Sequence, residues 1–466
     1  MTTLSITVPF HDDETIASYA SRLAAANYAS GVREFCGHMG LNHQKLIDGE
    51  PEEVARLMAL ADYELRSSDK RVVKRNGLFH EINGEVLARS SFLRSRLRHC
   101  PHCLAEDYEN GSGVVTSRPY GRLAWCVTFI RTCPRHNVLL QLTERSSLEG
   151  GHDIAAMIAA WQRDPNVHPP AARCIQTDFE SYVTERLWGR WDRRSWLDSL
   201  PLYVAGKMCE MVGATIRLGK RFVFDDLSEM DWVDSAQVGF EVLCKGEDAF
   251  RSFLEGLHSD FWDGEGDTGG RHLYGRLYER LAYESDDPAF DCVRAIMREV
   301  ALSSIPFGPG DDMFGPVIER RFHTIQSASK EFNLHPLTLR KLLLKVGVIG
   351  TSAKDLTPDR ILVPKDVVAD VVAKYTSGMN WSKAWLYLNS GRTLWNTLTH
   401  GGYIPRAFAD GHETGLGPIY AKSDLDAFLA RMKTMVNQEF VACAKLTSFS
   451  KTVSAVLVPP SGSRFD

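Results

Sequence analysis

The chain lacks any long hydrophobic run. No stretch reaches the roughly 18 consecutive apolar residues that a bilayer-spanning helix needs, so no membrane partner is expected. Met1 to Phe10 has no charged segment followed by an apolar one, so no secretory leader is expected either. Cysteine is thinly spread. Ten cysteines stand mostly singly, which is no disulfide framework and fits a reducing cytoplasm. Cys36, Cys126, Cys174, Cys209, Cys244, Cys292 and Cys443 are expected to be small buried apolar residues. The Gly264–Gly270 run has no Lys-Ser or Lys-Thr ending and no preceding strand, which excludes a phosphate loop. Asp225, Asp226, Asp260, Asp263 and Asp267 lie in polar, glycine-rich surroundings and read as a solvated acidic face rather than a two-metal centre. With no ordered carboxylate set, a nuclease or transposase activity is not expected.

What is present is a pair of ligand knuckles, Cys100-Pro-His-Cys103 and Cys133-Pro-Arg-His136, with 29 residues between them. Two soft ligands two residues apart can face one ion, and four such ligands close a tetrahedral zinc shell. A catalytic zinc would keep a position for water, so this pattern points to a structural zinc. Pro101 and Pro134 stiffen the knuckles. His99 and His102 flank the first knuckle as substitute ligands, but the likeness of the two halves favours Cys103.

Length allows about three domains, and the charge is unevenly spread. From Arg320 onward the chain has 19 basic and 11 acidic residues, against 35 and 48 before it. The C-terminal third therefore suits a polyanion. A second basic run, Lys70, Arg71, Lys74, Arg75, Arg89, Arg94, Arg96 and Arg98, precedes the first knuckle. The fold expected is mainly α and multidomain. Residues 1–165 form an N-terminal domain with a zinc ribbon at about 95–145. Its helices at Asp13–Tyr28, capped by Asp12 or Asp13, at Val32–Met39 and from Pro51 suit either a helix-turn-helix-like unit or a plain bundle. A hairpin turning at Asn83-Gly84, then a helix, is expected over 71–93. Arg122–Thr128 reads as a strand or a buried helix. His168-Pro169-Pro170 marks a boundary, and 172–304 is a helical middle domain with Trp188, Trp191, Trp196, Tyr274, Leu277 and Tyr278 in its core. Ile305–Gly310 reads as a linker.

Beyond it the pattern repeats, over 317–375 and 376–435, before a tail at 436–466. Ile325, Ala328 and Phe332 face inward, Asn333-Leu334-His335 turns, Pro336 opens a second helix and Gly347 ends it. Leu339, Leu342, Leu343 and Val346 form its buried stripe. A 55-residue shift carries Thr338-Leu339 to Thr393-Leu394, Leu343 to Leu398, Gly347 to Gly402 and Ile349 to Ile404. This is tandem helix-turn-helix grammar. His335, Thr338, Arg340, Lys341 and Lys345 in the first copy, and Arg392, Thr393, Asn396 and Thr397 in the second, point away from the stripe. They are the candidate contacts to double-stranded DNA. A helix-turn-helix that docks protein is the alternative.

Arg98-His99-Cys100-Pro101-His102-Cys103-Leu104-Ala105-Glu106-Asp107 resembles the R-x-C-P-x-C-L-x-x-D signature of the TniQ family. Trp125 before the second knuckle and Leu139-Leu140 after it are similar to that family too. So is the opening Glu14-Thr15-Ile16-Ala17-Ser18-Tyr19 through Arg22-Leu23. The likeness is strongest over residues 7–145. It implies a non-enzymatic adaptor that selects the target site of a heteromeric transposon and recruits an AAA+ ATPase. A CRISPR effector complex and a second copy of the chain are further candidate partners. Where many members carry another C-x-x-C, this chain has Leu140-Gln141-Leu142-Thr143. The residues alone also suit a transcriptional regulator with the same tandem repeat.

Overall fold

A computed structural model of the chain describes residues 3–65, 71–143, 152–163, 170–190, 192, 195–263, 268–408 and 417–435. Lys70, Trp191, Asp267, Cys443, the His168-Pro169 boundary, most of the Gly264–Gly270 run and the tail beyond 435 lie outside the described residues. The fold is mainly helical with small antiparallel sheets. It divides into two compact units, Met1–Ser259 with Gly270–Met297, and Asp260–Gly269 with Arg298–Asp466.

The first unit opens with four short helices, Ile16–Ala26, Val32–His38, His43–Ile47 and Pro51–Leu60. Tyr19, Leu23, Phe35, Leu46 and Leu57 close their core. The cap of the first is Thr15, whose hydroxyl accepts the Ser18 N–H at 3.2 Å, and not Asp12 or Asp13. Strands Lys74–Asn76, Phe79–Ile82 and Glu85–Ala88 follow. Their Asn83-Gly84 turn is present, with φ of 53° and 83°. The helix expected next is reduced to one 3-10 turn, Arg89–Ser91. The chain there is drawn out because Phe92 bridges to Val127 and Leu93 N–H donates to Cys126 O at 2.6 Å. Arg122–Thr128 is neither strand nor buried helix but a 3-10 turn, Leu123–Cys126, between two isolated bridges.

The helices Asp178–Leu187, Leu202–Leu218 and Glu229–Leu243 complete this unit's centre. The last two cross where both have glycine. A Cβ on Gly213 would sit 1.6 Å from Ser235 O, and one on Gly239 would sit 1.9 Å from Cys209 O. Tyr274, Leu277 and Tyr278 are buried as expected, while Trp188 and Trp196 are half-buried. Cys36 and Cys209 are buried and Cys126 and Cys174 partly so, but Cys244 and Cys292 are exposed. These two lie at helix ends, where the side chain clears the core.

The second unit holds the repeat. Each copy runs strand, helix, tight turn, helix, strand, helix. The first is Phe322–Thr324, Ile325–Glu331, Pro336–Val346, Leu362–Pro364 and Lys365–Ser377. The second is Gly378–Asn380, Trp381–Tyr387, Arg392–His400, Ile419–Ala421 and Lys422–Met435. In each, the two strands pair antiparallel. The caps Thr324 and Asn380, the buried Ala328 and Ala384, and the left-handed Asn333 and Asn389 (φ 50° and 48°) stand 56 residues apart. So do the buried pairs Leu339 and Trp395, and Leu342 and Leu398. The 55-residue register holds only after the second helix, at Gly347 and Gly402 and at Ile349 and Ile404. That helix has 11 residues in the first copy and 9 in the second, which shifts the alignment. Thr393 therefore matches Leu337 rather than Thr338, and Asn396 takes the place of Arg340. Val346 is exposed rather than buried, since the helix ends at Gly347 in the left-handed region (φ 78°). The expected linker is also packed. Ile305 and Phe307 are buried, and Arg320 Nη1 donates to Pro306 O at 2.9 Å. Phe408, which follows the second copy's helix pair, is buried in the core of the first copy.

Candidate metal centre

Cys100 caps the helix Pro101–Asn110, and Cys103 lies in its first turn. Exposed N–H groups and the helix dipole favour thiolates there. Cys133 ends the strand Thr132–Cys133, which pairs with Val138–Leu139, and His136 sits in the turn between them. The centre thus joins a helix start to a β-hairpin, where two matching ribbon knuckles were expected. The four donor atoms lie within 4.8 Å of one another. His136 Nδ1 is 3.5, 3.4 and 3.6 Å from the sulfurs of Cys100, Cys103 and Cys133, and the Cys103 and Cys133 sulfurs are 3.6 Å apart. Tetrahedral zinc, with bonds of about 2.3 Å to sulfur and about 2.0–2.1 Å to nitrogen, needs edges of roughly 3.5–3.8 Å. The residues fit that ion.

Electrostatics agree. Hydrogen bonding from Cys100, then Cys133, pushes the Cys103 thiol up, while Cys100 and then Cys103 pull Cys133 down. Three sulfurs this close cannot all ionise without a cation among them. Outside the four, His136 Nε2 lies 3.0 Å from Glu106 Oε1, and Arg135 pairs with Glu106 at 2.7 Å. That carboxylate aims the imidazole so that Nδ1 faces the sulfurs. His99 and His102 are not in the cluster. The His99 ring meets Trp161, and the His102 ring centre is 5.3 Å from that of His136. Leu140–Thr143 has no ligand role; Gln141–Leu142 pairs as a strand with Arg98–His99. Among the described residues this is the one cluster able to hold a metal ion.

The other signature side chains are structural. Arg122 grips Asp107 with two bonds, of 2.9 and 3.0 Å. Buried Glu14 accepts from Ser18 Oγ at 2.8 Å and from Arg22 Nη1 at 2.7 Å, and Arg22 Nε reaches Ser117 O at 2.7 Å. Arg98 reaches Thr128 O, Ile130 O and Glu229.

Residues 5–140 match the TniQ family. This is a family of transposition-associated, non-enzymatic adaptors. No curated protein matches the chain. The TniQ match ends just past the hairpin that carries Cys133 and His136, so the middle helices and the repeat lie beyond it. Three glutamates on those helices nevertheless grip the TniQ domain. Glu180 accepts the Arg131 and Thr132 N–H groups at 2.6 and 3.0 Å. Arg131 pairs with Glu210 at 2.7 Å and with Glu229 at 3.0 Å. Sequence spacing could have offered Glu106, one helical turn after Cys103. The glutamates, far along the chain, left no such signal.

The basic run in the TniQ domain is divided: Lys74, Arg75, Arg89 and Arg96 are exposed, while three others are held within the fold. Arg71 donates to His11 O, Arg94 pairs with Asp48 at 2.9 Å, and Arg98 is buried. The residues expected to contact DNA differ in exposure between the two copies. Arg392, Thr393, Asn396 and Thr397 are all exposed in the second. In the first, His335 caps its helix through Nδ1 to the Leu337 N–H, Arg340 Nη2 donates to Leu356 O at 2.5 Å, and Thr338 and Lys345 are half-buried. Lys341 is exposed. Among the described residues no helix is long and apolar enough to cross a membrane.

Proposed function

We propose that the protein is a zinc-containing DNA-binding adaptor that selects the target site of a heteromeric transposon and recruits an AAA+ ATPase. The observation carrying this reading is the pairing, in one chain, of a transposition-family domain with a repeat whose second copy turns Arg392, Thr393, Asn396 and Thr397 to solvent. Zinc at Cys100, Cys103, Cys133 and His136 would keep the TniQ domain in shape and do no chemistry, because all four positions are filled by protein. The segments 317–375 and 376–435 act as the two helix-turn-helix modules, and 172–304 as a helical middle domain. The second copy is the better DNA reader. Its Arg392 suits phosphate or guanine and its Asn396 suits adenine, whereas the first copy has Arg340 and His335 already bonded within the fold.

Arg392→Ala and Asn396→Ala are each expected to weaken duplex binding by about 1–3 kcal/mol with little change in melting temperature. Gel shift and thermal denaturation of the full chain check this, and unchanged affinity in both variants would overturn the DNA role. Pull-down against an AAA+ ATPase, a CRISPR effector complex and a second tagged copy of the chain tests the partners. Failure to retain the ATPase would remove the recruiting role.

A further inference from the structure

A large cleft opens in the first unit, beside the three-stranded sheet and away from the metal centre. Its volume is about 1480 Å³, and its walls include Arg33, Arg75, Arg89, Arg94, His80 and His152. A small-molecule pocket ordinarily has about 300–1,000 Å³, so an extended ligand suits it better. Four guanidinium groups face one acidic lining residue, Asp287, whose oxygens already accept from Tyr203 Oη and the Ala289 N–H. Asp48, behind the wall, pairs with Arg94 at 2.9 Å and with Arg75 at 3.5 Å. Arg33 and Arg89 are exposed and have no acidic partner among the described residues. His80 is 2 % exposed, and neither ring nitrogen has a hydrogen-bond partner among the described residues. One face of its ring stacks on Phe92 at 4.9 Å. Burial, then Arg94 and Arg75, pushes His80 down to about 4, so it meets a ligand as a neutral imidazole able both to donate and to accept.

We propose that this cleft binds a single-stranded nucleic-acid segment, with Arg33 and Arg89 on its phosphates and His80 bonding the strand from the wall. Arginine forks match phosphate geometry. Apolar Leu78, Phe79, Leu93 and Pro288 are interleaved with the cations. A duplex backbone has no use for such surface, but unpaired bases do. An acidic peptide would satisfy the arginines and leave that surface uncovered.

The test is fluorescence anisotropy of the full chain with labelled oligo(dT) and oligo(U) of about ten nucleotides, a length within the range of single-strand sites. An Arg392→Ala/Asn396→Ala background removes the proposed duplex contacts and should keep this binding. Adding Arg33→Ala and Arg89→Ala should weaken it roughly tenfold or more and lower the salt slope by about 1.4, the value for two single-strand phosphates. His80→Phe should weaken it with the melting temperature unchanged. Binding of either oligonucleotide, lost in these variants, supports the site, and the preference between the two identifies the sugar. Affinity indifferent to the substitutions, or poly-glutamate displacing the strand as well as the unlabelled oligonucleotide does, would overturn it.

Discussion

Cys133 and Glu106 make different contributions to one centre, and substitution should separate them. Cys133→Ser removes a ligand, so protein purified without added metal should lack stoichiometric zinc by elemental analysis. Glu106→Gln keeps all four ligands and loses only the charge that orients His136. It should still contain zinc but yield it to a competing chelator at about 10–100-fold lower affinity. Glu14 gives a pH signature. Burial, opposed by Arg22, pushes it from 4.5 up to about 7. The folded chain then takes up a proton that the unfolded chain releases between those values. Stability from this group is full below pH 4.5 and is lost as pH rises through 7. Melting curves from pH 5 to 8 should fall across that window, and Glu14→Gln should flatten the fall. The clustering of Cys100, Cys103, Cys133 and His136 was legible because knuckle spacing is a local property. The role of each cation before them was not legible, because Arg71, Arg94 and Arg98 bond carbonyls and carboxylates that only the fold supplies, whereas Lys74, Arg75, Arg89 and Arg96 stay exposed.

Helix limits in the repeat were read well, since Pro336, Asn333 and Gly347 act on their own backbone. Registers were read less well, because an offset depends on the length of a helix that the pattern alone does not fix. The short Arg89–Ser91 turn was missed because a bridge from Phe92 to Val127 overrides the local preference. The Gly213–Gly239 crossing left no trace in the hydrophobic pattern. Gly213→Ala should lower stability by about 3 kcal/mol, and possible relief lies only in spreading the two helices. Calorimetry checks this; an unchanged melting temperature would show that the crossing is looser than its backbone contact implies.

Across the whole molecule, the TniQ domain has no edge of its own on the side of the middle helices. Glu180, Glu210 and Glu229 reach into it through Arg131, Thr132 and Arg98. Arg131→Ala should cost about 3 kcal/mol, because Glu210 stays buried with Lys207 as its remaining ion-pair partner. Stripping zinc should raise amide exchange in Leu202–Leu218 and Glu229–Leu243 as well as around Cys133. Exchange confined to residues 100–140 would show that the clamp does not transmit the loss. The repeat carries a similar entanglement. Because Phe408 of the second copy completes the core of the first, the two copies cannot be beads on a string. The shared core sets their separation, so if the proposed DNA role holds, both half-sites of the duplex would have to stand at one spacing, and lengthening the gap between them should weaken binding in a gel shift.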